Sequence, residues 1–404
     1  MDSKMGINPI VQQIPQALSV YINQAVYDLK RRGKTVISLS LGEAFFDIPK
    51  FDYNDIDLEQ GYHYSDSLGL PSLREKIAVF YGRQYDAPLN SDSDILLTAG
   101  SKAAIFMCML TVLQRDDEVL IHEPAWLSYQ EQARLAGGEA KFIPYHEKID
   151  HFQQYFHDKT KLLIINNPNN PQGKLYSKDE LISLYQQCKQ RGVFLLVDEA
   201  YSDFVLGHDF VSAGCVLADK DNLFIVNSLS KNFGMSGWRI GYVISNPAMI
   251  KQLLKLNQHL ITCAPTLLML YLDKHFDTLL AATLPQALLV TEKRQQVLKV
   301  IDKLGMSYLP GCATFYIFLN VEVFQGSTFD LALYLLAKYA IAVVPGIAYG
   351  QSTADFIRIS VGAESIETIT QALHIIHDVV DNVVINQDEI MSLVRDAGLE
   401  LMES

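Results

Sequence analysis

Apolar and polar residues along the middle of the chain alternate in a way that predicts strands separated by helices. From about residue 94, short apolar runs are followed by segments in which apolar residues recur at helical spacing. The apolar runs predict strands at 94–98, 118–122, 161–166, 193–198, 222–227 and 238–245. The gaps predict helices, for example at 101–113 and 178–191. This order is typical of an α/β fold with a mostly parallel sheet between layers of helices.

The pattern changes after about residue 285, and this change predicts a second domain. A long helix at 286–304 is followed by strand-like segments at 315–319 and 356–360, each with helices after it. The chain of 404 residues is also too long for one ordinary core. We therefore expect a large domain over 48–285 and a smaller α+β domain over 286–404, to which an N-terminal arm at 1–47 contributes.

Charge and cysteine content narrow the classes of function. The formal net charge of −13 disfavours nucleic acid as a partner, because phosphate binding relies on clustered lysine and arginine. The apolar runs stop short of the ~20 residues of a bilayer span, and the N-terminus lacks a signal-peptide pattern. The five cysteines are scattered and lack metal-ligand spacing, so neither a disulfide framework nor a metal site is expected. These features favour a protein of the reducing cytoplasm, without a membrane partner.

Chemically distinctive residues fall where predicted strands end. Asn170, Asp198 and Lys231 lie at or just after the carboxyl end of a predicted strand, which is where open α/β sheets bind their ligands. Gly100 and Ser101 lie at a strand-to-helix turn, where backbone N–H groups and the helix dipole can receive a phosphate. The sequence therefore predicts a ligand site at this edge of the sheet.

The segment 228–239 concentrates serines, a lysine and an arginine just beyond a strand. These residues would suit an aldehyde cofactor that carries a phosphate. The amine of Lys231 can form an imine, while hydroxyls and the guanidinium of Arg239 can hold a phosphate dianion by charge-assisted hydrogen bonds. The alternative is a basic surface loop with serine-rich turns.

A carboxylate and two neutral polar side chains accompany this segment. Asp198 follows an apolar strand, so it could bind a protonated pyridine nitrogen, and Tyr201 could donate to a phenolic oxygen of the same ring. Taken alone, Asp198 can also be a helix N-cap. The stretch 167–173 is first of all a turn of asparagine, proline and glycine, and Asn170 gains functional weight only from the other residues.

These motifs, in this order, resemble the class I/II aminotransferases over about residues 41–363. The resemblance implies fold type I, a pyridoxal 5′-phosphate (PLP) cofactor, and transfer of the α-amino group of an L-amino acid to a 2-oxo acid through pyridoxamine phosphate. Lys231 looks like the Schiff-base lysine, which also acts as the base on the substrate. Asp198 looks like the partner of the pyridine nitrogen. Tyr201 and Asn170 look like donors to the 3-hydroxyl oxygen of the ring.

The same resemblance implies the remaining cofactor contacts. Trp126 stands where the family stacks an aromatic ring on the pyridine, although a core aromatic is the alternative. The phosphate ligands it implies are Gly100, Ser101, Lys102, Ser228, Ser230 and Arg239.

Three further residues are implied to contact the substrate or a partner subunit. Arg358 resembles the arginine that binds the substrate α-carboxylate, a bidentate task suited to a planar guanidinium. A lone arginine in a strand can also be a surface charge. Gly42 resembles the glycine whose backbone approaches that carboxylate. Tyr64 resembles the tyrosine that reaches the phosphate of the other subunit, so a homodimer is implied.

The sequence departs from the family pattern in several places. The family usually has proline and aspartate where Ala44 and Phe45 stand, threonine at Gln172, and often glutamine at Ala103. Residues 381–404 form a tail beyond the helix that typically ends the fold.

The motifs define the cofactor better than the reaction. Fold-type I relatives also catalyse elimination, cyclopropane formation or oxygen-dependent oxidation with the same lysine, so these reactions stay open as the alternative. A PLP-sensing regulator would be expected to carry a basic DNA-binding module upstream, and this acidic chain has only a short segment there. The substrate side chain is not defined by the motifs, although Phe45 and Phe46 beside Gly42 hint at an apolar or aromatic one.

Overall fold

The computed structural model describes residues 6–207, 209–216, 219–384 and 386–399. Residues 1–5 of the predicted N-terminal arm and residues 385 and 400–404 of the predicted tail lie outside the described residues.

Strands and helices alternate through the middle of the chain, as the apolar pattern predicts. The strands are β1 Ile37–Ser38, β2 Ile95–Thr98, β3 Glu118–His122, β4 Glu139–Ile143, β5 Thr160–Asn166, β6 Phe194–Asp198, β7 Leu223–Ser228, β8 Gly241–Ile244, β9 Tyr316–Asn320, β10 Ile341–Ala342, β11 Val344–Pro345 and β12 Phe356–Ser360. The helices are α1 Pro9–Gln12, α2 Leu18–Arg31, α3 Leu58–Gly61, α4 Pro71–Tyr85, α5 Ser101–Val112, α6 Ser128–Leu135, α7 Lys178–Gln190, α8 Ala213–Val216, α9 Leu229–Asn232, α10 Pro247–Leu260, α11 Thr266–Lys303, α12 Thr328–Tyr339, α13 Ile366–Asn382 and α14 Gln387–Asp396.

A seven-stranded sheet in the order β2-β8-β7-β6-β5-β3-β4 forms the centre of the described structure. Its strands are parallel except β8, which runs antiparallel to both β2 and β7. All six predicted strands form, and the predicted α/β fold is confirmed. Buried apolar side chains pack on both faces of this sheet, because helices cover each of them.

Two details of this sheet differ from the expectation. The edge strand β4 was not predicted, because its exposed Glu139 and Lys141 give it a polar character. The strand β8 starts at Gly241 and not at 238, because Trp238 ends a 3-10 turn and Arg239 adopts a left-handed conformation with φ of 57°.

Local sequence explains where the helices of this layer begin. Helix α7 starts with a capping box in which Ser177 Oγ accepts from the backbone of Glu180 and the Glu180 side chain accepts from the backbone of Ser177. Its buried face includes Leu181 and Leu184, at helical spacing. The helix thus forms over the range that the periodicity predicts.

The C-terminal part of the chain builds a separate layer of structure. Strands β11, β12 and β9 form an antiparallel sheet, and β1 from the N-terminal part pairs parallel with β10. Helix α11 is longer than the predicted helix at 286–304, because it passes Pro285 without ending. Its buried face continues beyond the proline with Ala287 and Val297, so packing stabilises the helix across the missing hydrogen bond. The domain boundaries remain predictions.

The carboxyl ends of the central strands bring polar residues together. Asn166 at the end of β5 is in register with Asp198 at the end of β6. Ser228 ends β7 on the neighbouring strand and leads directly into α9, which carries Lys231. Within the described residues, no helix has the length and apolar character to cross a membrane.

Candidate active site

A cavity of about 160 Å3 opens at this edge of the sheet. It collects almost all of the predicted cofactor residues from five separate parts of the chain. Its lining consists of Ser101, Lys102, Trp126, Tyr129, Asn166, Asn170, Asp198, Ala200, Tyr201, Ser228, Ser230, Lys231, Ser236 and Arg239. Gly100 directly precedes this lining in the chain, whereas Tyr64 lies elsewhere.

Asp198 provides a buried carboxylate at the floor of the cavity. Its oxygens accept hydrogen bonds from the Tyr129 hydroxyl at 2.6 Å and from the Ala200 backbone N–H at 3.1 Å. Burial raises its pKa, although these donors and the nearby Lys231 oppose that shift. The bond from Ala200 corresponds to the capping role that is the alternative for Asp198, here at a turn. The second oxygen is not used for capping, because it accepts from the Tyr129 side chain. A buried carboxylate with only neutral donors favours a cationic ligand.

Lys231 projects its amine between this carboxylate and the N-terminal part of the chain. Its Nζ donates to the backbone oxygen of Gly42 at 2.7 Å. Burial lowers the pKa of Lys231 to about 8, with Arg358 and Arg239 acting in the same direction against Glu43 and Asp198. The unprotonated form of this amine, which a nucleophile or base requires, is therefore reached at mildly alkaline pH, well below the pH that an exposed lysine needs.

Asn170 and Tyr201 lie side by side in the cavity. The Asn170 side-chain amide donates to the Tyr201 hydroxyl at 3.4 Å, and that hydroxyl is 3.0 Å from the hydroxyl of Tyr316. Burial raises the pKa of Tyr201 well above its usual value, so the phenol keeps its proton. The Lys231 Nζ lies 5.7 Å from the centre of the Tyr201 ring. These groups can donate hydrogen bonds to an oxygen in the cavity.

Arg358 in β12 is buried, with 4% of its surface exposed, so it is not a surface charge. Its guanidinium donates to Ser40 O at 2.6 Å and to Asn170 Oδ1 at 3.3 Å, and it lies 4.4 Å over the Tyr316 ring. Its Nε has no hydrogen-bond partner among the described residues. A buried guanidinium held by neutral oxygens is suited to a carboxylate ligand.

The opposite end of the cavity carries the groups that can bind a phosphate. Ser101 begins α5, and a side chain at Gly100, whose φ is 84°, would meet the Arg239 guanidinium at 2.5 Å. The Ser228 hydroxyl accepts from the Ser230 N–H at 3.0 Å, so both serines border one turn. A helix start, hydroxyls and a guanidinium together form an anion site.

Two aromatic residues predicted to contact the cofactor, Trp126 and Tyr64, differ in their surroundings, because only Trp126 lines the cavity. Trp126 packs edge-on against Tyr129 with ring centres 5.3 Å apart, and the Lys102 amine lies 4.9 Å from its ring centre. Partial burial and the nearby Arg239 lower the pKa of Lys102. Tyr64 is 84% exposed and lines a surface depression with Cys263, outside the cavity. Its contact with the phosphate of a second subunit stays a prediction.

Three residues of this region were missed by the sequence analysis. Asn166 ends an apolar strand in the same way as Asp198, so that signal was present. Tyr129 has no local signature, because its role depends on the packing of α6 against β3 and β4, from where its hydroxyl reaches Asp198. Tyr316 reaches Tyr201 and Arg358 from β9, far along the chain. Its contribution requires the pairing of β9 with β12.

Comparison with known proteins agrees with this geometry. The sequence profile of the family Aminotransferase class I and II matches residues 52–376. The chain is 32% identical over 349 residues to the (5-formylfuran-3-yl)methyl phosphate transaminase of Methanocaldococcus jannaschii, covering 85% of this chain and 91% of that protein. It is 29% identical over 380 residues to an aspartate aminotransferase of Thermotoga maritima, covering 91% of this chain and 97% of that protein.

Solved structures give the same result. The aspartate aminotransferase of Thermus thermophilus with maleate superposes with a TM-score of 0.82 at 25% identity, over 92% of this chain and 98% of that one. The aromatic aminotransferase of Pyrococcus horikoshii superposes with a TM-score of 0.80 at 28% identity, over 88% of this chain and 98% of that one.

The chain belongs to the class I and II aminotransferases. It is a fold-type I enzyme that uses PLP and transfers amino groups between amino acids and 2-oxo acids. The cavity fits this cofactor, because one space is lined by a buried carboxylate whose hydrogen-bond donors among the described residues are neutral, by a lysine amine of lowered pKa and by an anion site.

Proposed function

We propose that this aminotransferase works through Lys231, Asp198 and Arg358, which hold the cofactor and an L-amino acid in one cavity. The observation that carries the proposal is the position of the Lys231 amine, which shares a cavity with the buried Asp198 carboxylate and is close enough to Asp198 and to the buried Arg358 guanidinium for the charge of each to shift its pKa. Such an arrangement can bind a molecule that carries both an amine and a carboxylate.

The proposed cofactor contacts follow from the lining. Asp198 binds the protonated ring nitrogen, supported by the Tyr129 hydroxyl, and Asn170 and Tyr201 donate to the ring oxygen. Trp126 covers one face of the ring. The proposed phosphate ligands are Gly100, Ser101, Lys102, Ser228, Ser230 and Arg239.

When bound, PLP supplies an aldehyde that condenses with amines and a ring that accepts the electrons released at the substrate Cα. Lys231 would hold the cofactor covalently between turnovers. Once the substrate amine had replaced Lys231 on the cofactor, the released Lys231 amine would take the proton from the substrate Cα. The lowered pKa of about 8 favours both tasks, since each requires the neutral amine. Asp198 retains the ring proton, because its carboxylate makes loss of that proton unfavourable.

Arg358 orients the substrate in this scheme. Its guanidinium binds the α-carboxylate by two parallel hydrogen bonds, and its contacts with Ser40 and Asn170 fix its plane. The backbone of Gly42, which accepts from the Lys231 amine, borders the same carboxylate position. Fixing the carboxylate holds the Cα–H bond toward the Lys231 amine.

We further propose that the enzyme is a cytoplasmic homodimer. The high exposure of Tyr64 is consistent with a residue that reaches the cavity of a second subunit. Free cysteines at 108, 188, 215, 263 and 312 are consistent with a reducing compartment.

An amino-donor half-reaction tests the proposed function. The purified holoenzyme is mixed with single L-amino acids under nitrogen and without a 2-oxo acid, and the spectrum of the bound cofactor is followed. We expect one 2-oxo acid per active site and full recovery of the initial spectrum when an acceptor 2-oxo acid is added. Release of ammonia, or turnover only in the presence of dioxygen, would instead assign elimination or oxidation chemistry.

A further inference from the structure

A second, larger cavity of about 790 Å3 lies next to the cofactor cavity. Its volume is within the range of small-molecule sites, roughly 300–1,000 Å3. Trp126 lines both cavities, so the two share a wall. The larger cavity is bordered mainly by apolar side chains from well separated parts of the chain, among them Ile14, Leu18, Phe142, Phe329 and Ile347.

This cavity also adjoins the proposed carboxylate site. Tyr349 lines it, and the Tyr349 ring centre is 5.3 Å from the guanidinium carbon of Arg358. The Tyr349 hydroxyl is buried and has no hydrogen-bond partner among the described residues. A substrate anchored at Arg358 therefore has its side chain beside this wall.

The charges around the cavity oppose an acidic side chain. Among the described lining residues, Glu131 is the single charged one, and its carboxylate pairs with Arg134 at 3.4 Å. A carboxylate placed in this cavity would lose its hydration without gaining a cation and would face the charge of Glu131. An apolar side chain instead gains from the burial of its surface.

The wall of the cavity is held in place by a buried acid. Glu123 accepts hydrogen bonds from the backbone of Gln351 at 2.8 Å and of Ser352 at 3.1 Å. The backbone N–H of Ala125 donates to Tyr349 O at 2.8 Å. These bonds join the loop that carries Trp126 to the segment that carries Tyr349. The cavity is thus preorganised on both sides.

Resting on the function proposed above, we propose that this cavity receives the substrate side chain and that it selects amino acids with large apolar or aromatic side chains over aspartate and glutamate. This proposal rests on the residues that line the cavity. It does not rest on Phe45 and Phe46, which lie near Gly42 in the sequence. Phe45 is 66% exposed, and Phe46 stacks on Phe204 with ring centres 6.3 Å apart. Neither phenylalanine lines either cavity.

Donor and ligand selectivity test the proposal together. The values of kcat/KM of the holoenzyme are compared for the amino donors phenylalanine, leucine, aspartate and glutamate. In parallel, the binding of two unreactive probes, 3-phenylpropanoate and succinate, is measured by calorimetry. We expect kcat/KM for phenylalanine to exceed that for aspartate by at least about 10-fold, and 3-phenylpropanoate to bind the tighter of the two probes.

A charge placed in the lining provides the matched variant. Leu18→Arg should lower kcat/KM for phenylalanine by at least about 10-fold. It should also reduce the ratio of kcat/KM for phenylalanine to kcat/KM for aspartate. Val20→Arg is the control, because Val20 lies in the same helix, is 61% exposed and is not part of the lining. It should leave both constants unchanged.

The outcomes separate this proposal from the proposed function. An enzyme that transaminates aspartate faster than phenylalanine and binds succinate more tightly overturns the side-chain assignment while leaving the proposed function intact. Equal effects of Leu18→Arg and Val20→Arg overturn the placement of the side chain in this cavity. If the enzyme converts none of these donors, the proposed function itself is wrong.

Discussion

The Tyr129 hydroxyl donates a hydrogen bond of 2.6 Å to the Asp198 carboxylate at the floor of the cavity. Both side chains are buried, so this bond is shielded from water. It stabilises the charged form of a carboxylate whose pKa burial otherwise raises. The proposed electron-accepting role of the cofactor depends on that charge.

Tyr129→Phe removes this donor and should weaken catalysis without unfolding the enzyme. A hydrogen bond to a charged group is worth about 1.5–3 kcal/mol, which corresponds to a loss of roughly 10-fold or more in kcat. Steady-state kinetics of the variant measure this loss. Tyr155→Phe serves as control, because the Tyr155 hydroxyl donates to Glu147 outside the cavity. Equal activity of the two variants would count against the role of Tyr129.

Asp198→Asn should abolish most of the activity while retaining part of the cofactor. The amide keeps the size of the side chain but cannot hold a proton on the ring nitrogen by its charge, so we expect a loss of about 100-fold or more in kcat. Turnover and the ratio of bound cofactor to protein are measured together. Near-normal turnover would mean that Asp198 acts only as the cap of the turn that includes Ala200.

Lys231 should titrate in the cofactor-free protein near pH 8. Burial lowers its pKa to about 8, so the amine is protonated below that pH and becomes nucleophilic as the pH rises through it. Trace acetylation followed by peptide mass spectrometry gives the reactivity of Lys231 against pH, with a short lysine-containing model peptide as reference. A Lys231 curve that rises at the same pH as that of the model peptide would contradict the lowered pKa.

Arg358→Lys should impair substrate binding and leave the cofactor unchanged. Lysine keeps the charge but loses the planar guanidinium. The value of kcat/KM for an amino acid should therefore fall, and the corresponding activation free energy should rise by ~2 kcal/mol or more. The absorbance of the bound cofactor should stay the same. An amine donor without an α-carboxylate should lose much less. Equal losses for the two donors would show that Arg358 supports the fold and does not bind the substrate.

The fold could be predicted from the sequence where the local pattern is strong. Apolar strands such as the one that ends at Asp198 are recognisable because they are buried on both faces. The edge strand β4 lacked that pattern. The antiparallel direction of β8 is not encoded in local periodicity, since it depends on how the strand pairs with β2 and β7.

The same distinction applies to the site. Asp198 and Lys231 follow strands directly, so a rule about strand ends finds them. Tyr129 and Tyr349 reach the two cavities only because distant segments pack together, as the contact of Ala125 with Tyr349 illustrates. The apolar second cavity combines the N-terminal segment with residues beyond 320, and no local motif indicates such a combination.

Reductive tagging of the holoenzyme tests the central assignment most directly. Borohydride should fix the cofactor irreversibly to the protein, and peptide mass spectrometry should find the added mass on Lys231 alone, because its amine of lowered pKa faces the cavity. Lys231→Ala should show no fixed cofactor and no turnover. A cofactor fixed to Lys102 or to any other lysine would contradict the proposed active site.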